Sequence, residues 1–427
     1  MTKDRFSELT GVCGKCFPSF IYEHSLPGDG EGSCVLSETE LKNVLDCHSV
    51  PEDRQLPVLE ALVHINAIPE LVELSLCAAR VWVRALADGT AGELDQPKPS
   101  CLNSFDRSFF GFIFSQLLAK EGRLAMKARA IPETYWKDIP EEPTRRAIRK
   151  YLKNGIFLFS DYQWDVNYFG CGIFLLGRFL FIPYRWEEGP LVFKSDMRFS
   201  GRGDAVCADT YCTGRGDAGN SEISVKPKVK VLWKSGTRVR TDGQIDGVNR
   251  ISDPRSFVTK FTETDGFYEG DRVSETGLIT RKTEHLDKAL WTPALKENDP
   301  ILALHIPDGP GYDPEHLHES CRMARDFFDR YYPELGFKAI QSESWLFDPL
   351  VSELLGPNRR ITRVRNEFHC YPTEAGDSMS ICEIFHTSSH IIDTYPLDTT
   401  LQRLTVEALR SGKRLHCTSA FMLKEEI

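Results

Sequence analysis

The run from Ile301 to Phe347 constrains the fold more than any other part of the sequence. It begins ILALHIP, a short apolar segment bounded by proline, which reads as a buried strand. DGPGYDP follows, and its glycines and prolines forbid both helix and ladder. Then comes EHLHESCRMARDFFDRYYPELG, where Leu317, Cys321, Ala324, Phe327, Phe328 and Tyr331 recur at steps of three and four. That spacing predicts an amphipathic helix, with Asp313 as N-cap, Pro314 at its first position, and Pro333 and Gly336 closing it. FKAIQSESWLF reads as a second strand. Strand, turn, helix and strand make the minimal crossover unit, which sets two strands side by side and parallel. The unbonded N–H groups at the start of such a helix favour an anion, typically phosphate.

Ahead of this unit the sequence is mostly helical. Residues 1–36 form an irregular, glycine-rich arm. Its Cys13–Cys16 pair lacks a second closely spaced ligand pair, so it reads as ordinary thiols, not a zinc site. Ser37 and Glu40 make a capping-box pattern for a helix to Glu52. A second apolar stripe runs from Val58 to Ala87, and Pro69 should break it in two. Phe105 to Ala130 is a further helix with Gly122 as its weak point, and Pro140 to Leu152 a basic one. His64 sits on an apolar face and reads as a core histidine. These pieces predict a helical domain over 37–155.

The pattern changes near Ile156. Residues 156–298 read as a β-rich linking region with short alternating runs, glycine turns and a variable loop. SGRGDA at 200–205 recurs as TGRGDA at 213–218 without the GK[ST] of a phosphate-binding loop. Residues 299–427 are predicted to be a mixed αβ domain. It continues with a short helix in DPLVSELLG, strands in ITRVRNEFHCYP and SICEIFH, a helix from Thr399 to Arg410, and a last strand in HCTSAFML. The fold class is therefore α+β.

A net charge of −10 argues against general binding to nucleic acid or an anionic membrane. No apolar run reaches the roughly 18–20 residues that span a bilayer. With MTKDRFSELTGV lacking a signal pattern, a cytoplasmic location is the expectation. The 13 cysteines are scattered, and Cys77, Cys171 and Cys321 lie in apolar surroundings, so they read as reduced thiols.

Several of these segments resemble a bacterial family of acyltransferases that joins a helical N-acyltransferase domain to a C-terminal domain like the GCN5-related N-acetyltransferases (GNAT). LLGRFLF (175–181), LHIPDG (304–309), SCRMARDFFDRYYP (320–333), SWLFDP (344–349) and TTLQRL (399–404) carry the resemblance. It implies transfer of an acyl group, expected to be acetyl, from acyl-coenzyme A as co-substrate to a small-molecule or peptide amine. It further implies pantetheine beside Leu304, Ile306 and Pro307, and pyrophosphate near the backbone of Asp308, Gly309, Gly311 and Tyr312. The loop HIPDGPGYD departs from the family's Arg/Gln-x-x-Gly-x-Gly/Ala. Asp308 and Asp313 add negative charge there and two prolines remove donors, so a non-catalytic binding module is the rival reading.

Amine acylation needs a proton acceptor and a donor to the thioester carbonyl. His305, at the end of the first strand, reads either as that base or as a structural histidine bonding the turn. Glu343, flanked by serines in an apolar run, reads as a partly buried carboxylate with a raised pKa, or as an exposed strand-end group. Arg359, Arg360, Arg363 and Arg365 form a basic patch on a predicted strand; it either receives a phosphate or is a solvated face. His369, His386 and His390 lack a helical register, and no metal is expected.

Overall fold

The computed structural model describes residues 32–94, 99–157, 159, 161–195, 198–199, 205–206 and 228–427. The Cys13–Cys16 pair, the second GRGDA copy and all of the first except Ala205 lie outside them. The chain divides into two compact units. One comprises Met1–Leu176, Leu180–Tyr184 and Phe327–Gly336; the other comprises Gly177–Phe179, Arg185–Asp326 and Phe337–Ile427.

The first unit is helical. Its helices are α1 (Glu38–Cys47), α2 (Glu52–Asn66), α3 (Pro69–Asp88), α4 (Ser104–Ala128), α5 (Glu141–Asn154) and α6 (Tyr162–Phe169). The capping box forms as the sequence predicts: Ser37 Oγ accepts from the Glu40 N–H and the Glu40 carboxylate accepts from the Ser37 N–H. Pro69 opens α3 directly after the break at Ala67 and Ile68. Trp82, Phe110, Phe112, Phe114 and Phe169 fill the core. Gly122 lies where α4 crosses backbone, since a Cβ there would stand 2.7 Å from Gly170. His64 is not a core residue. It is exposed and pairs with the buried Asp106 across 3.1 Å, because α2 turns that edge outward, as it does with exposed Val63. No single helix among the described residues is long and apolar enough to cross a membrane.

The second unit is built on sheets. Strands β3 (Leu191–Ser195), β4 (Lys228–Leu232), β5 (Phe261–Glu263), β6 (Phe267–Val273), β7 (Ile279–Asp287) and β8 (Thr292–Leu295) form an antiparallel sheet in the order β7-β6-β4-β3-β8, with β5 against β6. Before them come β1 (Phe174–Leu176), which belongs to the first unit, and β2 (Phe179–Arg185), whose Leu180–Tyr184 also belong to it. The other sheet contains β9 (Pro300–His305), β10 (Ala339–Ser344), β11 (His369–Pro372) and β12 (Thr418–Leu423), in the order β9-β10-β12-β11. Between β9 and β10 runs α7 (Pro314–Tyr331), and the two strands are parallel as the crossover predicts. Trp186, Val231, Trp233, Ile301, Tyr371 and Phe421 close the core between the sheets of this unit.

The first half of one predicted strand and the whole of another are helices, while HCYP at the end of the first is β11. ITRVR forms α9 (Arg360–Arg365) after α8 (Pro349–Leu355), and SMSICEIF forms α10 (Ser378–Phe385). Each run is too short for periodicity to decide. Ile381, Ile384 and Phe385 stand at helical steps and bury one face with Leu350, Val351, Val406 and Leu409 of α8 and α11 (Thr400–Arg410). The end of FKAIQSESWLF is likewise a 3₁₀ turn, Trp345–Phe347, not strand, started by Ser344 Oγ accepting from the Leu346 N–H.

Candidate functional site

The site begins where β9 and β10 separate. Leu302 pairs with Ile340 and Ala303 with Gln341. Beyond these, β9 runs on through Leu304 and His305, and β10 through Ser342, Glu343 and Ser344, with no further pair between them among the described residues. β10 keeps its ladder with β12 throughout, Glu343 opposite Ser419 and Ser344 opposite Thr418. The parallel strands therefore part at their C-terminal ends, leaving a gap beyond the Ala303–Gln341 pair. Leu304 is buried as a whole residue.

The loop from Ile306 to Asp313 is held from below by one residue, Arg178. Its Nε donates to the Pro310 carbonyl at 2.5 Å, and its Nη2 donates to the carbonyls of Pro307 and Gly309 at 2.5 and 3.0 Å. Arg178 is itself fixed, because its backbone N–H donates to Ser320 Oγ at 2.9 Å. Gly177 must be glycine here: its φ is +67°, and a Cβ would stand 2.5 Å from Ser320 Oγ. With three carbonyls turned toward the guanidinium, the N–H groups of Asp308, Gly309, Gly311 and Tyr312 make no hydrogen bond among the described residues. Such a row of free N–H groups is a concavity for an anion. The Tyr312 phenol is turned inward, buried, edge-on to Phe179, and without a partner among the described residues.

The helix start differs from the expectation. Asp313 caps α7, accepting from the His316 N–H at 3.0 Å, with His316 Nδ1 at 2.8 Å from the same oxygen. That N–H bond holds the Asp313 carboxyl below the usual carboxylate range. The anion position at the helix start is thus filled by the chain's own carboxylate, and the free donors lie one step earlier, in the loop.

His305 is half-buried, and burial pushes its pKa down to about 4, so it is neutral at pH 7. Glu343 is exposed, not partly buried; the alternation along β10 puts it on the face opposite buried Ser342 and Ser344. Ser419 Oγ donates to Glu343 Oε2 at 3.1 Å, and Cys417 Sγ lies 3.7 Å from Oε1. Gln341 Nε2 donates to the Tyr371 phenol at 2.6 Å, and the ladder brings Tyr371 opposite Ser419. A polar row thus crosses β10, β12 and β11: Gln341, Glu343, Ser419 and Tyr371. Sequence reasoning missed Ser419, Tyr371 and Arg178. Only Arg178 carried a signal, since it lies inside LLGRFLF.

The arginine patch does not assemble as a strand face. Arg365 is buried and donates to the carbonyls of Phe347 and Thr276, Arg363 pairs with Glu315, and Arg359 and Arg360 are exposed. His369 pairs with Glu426 and His390 lies 3.8 Å from Asp377, so these histidines serve separate partners.

Residues 173–422 match a family model described as GNAT-like C-terminal domain. No curated protein matches the sequence. Among solved structures, an acyltransferase in complex with decanoyl-CoA and teicoplanin is 16% identical, with 99% of each chain covered and a TM-score of 0.50. An acyltransferase mutant in complex with octanoyl-CoA is 15% identical at the same coverage, also with a TM-score of 0.50. At such identities the likeness is one of fold.

Proposed function

Since the chain belongs to the GNAT-like C-terminal domain family, we propose that it transfers an acyl group from acyl-coenzyme A to the amine of a small molecule or peptide. The observation that carries this reading is the parting of β9 and β10 beside a loop of free N–H groups. The site fits the co-substrate on two counts. The gap between β9 and β10 beyond the Ala303–Gln341 pair suits a pantetheine arm, and the loop N–H groups of Asp308, Gly309, Gly311 and Tyr312 match a pyrophosphate. Both fold neighbours were solved with acyl-coenzyme A bound, and one also with teicoplanin.

Acyl-coenzyme A supplies an activated thioester. Glu343 is our proton acceptor: it is exposed to an incoming amine, and Ser419 fixes its carboxylate. The amine nitrogen bonds to the thioester carbon, its proton passes to Glu343 through a water, and the carbon–sulfur bond breaks; the leaving thiolate takes that proton back, which releases the thiol and restores the Glu343 carboxylate. His305 acts as a neutral hydrogen-bonding group at the end of β9. The sequence suggests acetyl, and the neighbours carry decanoyl and octanoyl groups, so acyl chains from acetyl to decanoyl are the ones to test.

The test is thiol release with acetyl- to decanoyl-coenzyme A against a panel of small amines and peptides, with products weighed by mass spectrometry. Amine-dependent thiol release with an acylated product supports the reading. Tight acyl-coenzyme A binding with no transfer to any amine favours the non-catalytic module, which the negative charges at Asp308 and Asp313 also suit.

A further inference from the structure

The second unit holds a cavity of about 300 Å³ that the reading above does not use. Three segments wall it: the turn at Arg240–Gln244, the stretch from Asp348 to Leu350, and Gly412–His416 ahead of β12. Arg240 is 3% exposed. Its Nε lies 3.1 Å from Asp242 Oδ1, and its Nη2 3.0 Å from both Asp242 Oδ2 and His416 Nε2. Its Nη1 is buried and finds no partner among the described residues. A guanidinium has five donors in a rigid fork, and leaving one arm buried and unmatched is costly.

The charges around the cavity do not cancel. Arg240 and Lys413 are paired with Asp242 and Glu353. Arg414, also in the wall, is exposed and held only by the carbonyls of Leu409 and Lys413 among the described residues. The remaining carboxyl, Asp348, is turned to backbone, accepting from the N–H groups of Leu350 and His416 at 2.8 and 2.7 Å. Burial raises it to about 7, so it carries only part of a charge at neutral pH. Burial likewise pushes His416 down to about 4, which leaves it neutral. One guanidinium thus stands uncompensated and another has an unused arm, over an apolar floor of Ile251, Leu278 and Leu350.

We propose that this cavity binds a small organic anion, a carboxylate or a phosphate monoester, through Arg240 and Arg414. A planar fork with a free arm suits either headgroup. This site is separate from the acyl-coenzyme A reading and does not rest on it.

Calorimetric titration of the full chain with inorganic phosphate, glycerol phosphate and succinate, at fixed ionic strength with chloride as control, tests the proposal. Each titration is repeated with saturating coenzyme A. The expected result is saturable binding of at least one probe that persists with coenzyme A and weakens at least about tenfold in Arg240→Gln and in Arg414→Gln. Arg414 is exposed, so its variant reports on binding even if Arg240→Gln fails to fold. Phosphate-only or succinate-only binding identifies the headgroup. No saturable binding, binding abolished by coenzyme A, or binding unchanged in Arg414→Gln overturns the proposal.

Discussion

Replacing Arg178 by methionine tests the loop directly. The substitution keeps an unbranched chain and removes three hydrogen bonds to the carbonyls of Pro307, Gly309 and Pro310. The Pro307 bond is partly buried and the other two are exposed. A sheltered bond from a charged donor contributes about 1.5–3 kcal/mol and an exposed one about 0.5. The clamp therefore sums to about 2.5–4 kcal/mol of loop order, part of which the loop regains by relaxing. Losing about 2 kcal/mol lowers the ordered population about thirtyfold, and apparent affinity falls with that fraction. Acyl-coenzyme A binding should weaken about 10- to 30-fold by calorimetry, by the same arithmetic. Turnover at saturating co-substrate should stay within about threefold, and the melting temperature should drop by less than about 4 °C. Arg178→Lys should recover only part of the affinity, since a point charge cannot hold three carbonyls in a fork. Unchanged affinity in a folded Arg178→Met protein would refute the claim that the clamped loop reads the co-substrate.

Other consequences follow from the same geometry. Glu343→Gln should cut kcat/KM about 10²- to 10⁴-fold with co-substrate affinity unchanged, whereas His305→Gln should cost less than about tenfold; the reverse order would move the base to His305. Acidification should unfold the protein through His305 and His416. Their folded pKa values of about 4 lie below the ordinary histidine value of 6.5, so stability is lost as pH falls from about 6.5 to about 4. Asp348 acts oppositely: its carboxyl, raised from 3.8 to about 7, contributes stability that is full below the unfolded value and is lost as pH rises through about 7. Between pH 7 and 5 each group amounts to about 2 kcal/mol, so Asp348→Asn should steepen the acid loss in urea titrations, and an unchanged slope would discount its raised pKa. Gly177→Ala should cost about 1–3 kcal/mol in the same titrations, from its positive φ and the contact with Ser320, and no loss would show that the turn adapts.

Much of the fold was legible because its signals were long or chemically specific. The α7 stripe, the Ser37–Glu40 box and the break at Pro69 each rest on several residues agreeing, and each appears where the pattern puts it. ITRVR and SICEIF were misread because five or six residues fit both periods, and only the packing of α8, α10 and α11 decides between them. Long-range pairing was hidden altogether. Ser419 stands opposite Glu343 across 76 residues of sequence, and Arg178 reaches Pro307 across 129. Asp313 was legible as a cap, but a cap also fills the anion position that the helix start suggested.

The most direct measurement is backbone hydrogen exchange of the full chain, with and without acyl-coenzyme A species from acetyl to decanoyl. The account predicts that the amides of Asp308, Gly309, Gly311 and Tyr312 exchange fast in the free protein and slow on binding. Unchanged exchange across this segment, with every acyl-coenzyme A species or with protection confined elsewhere, would contradict it.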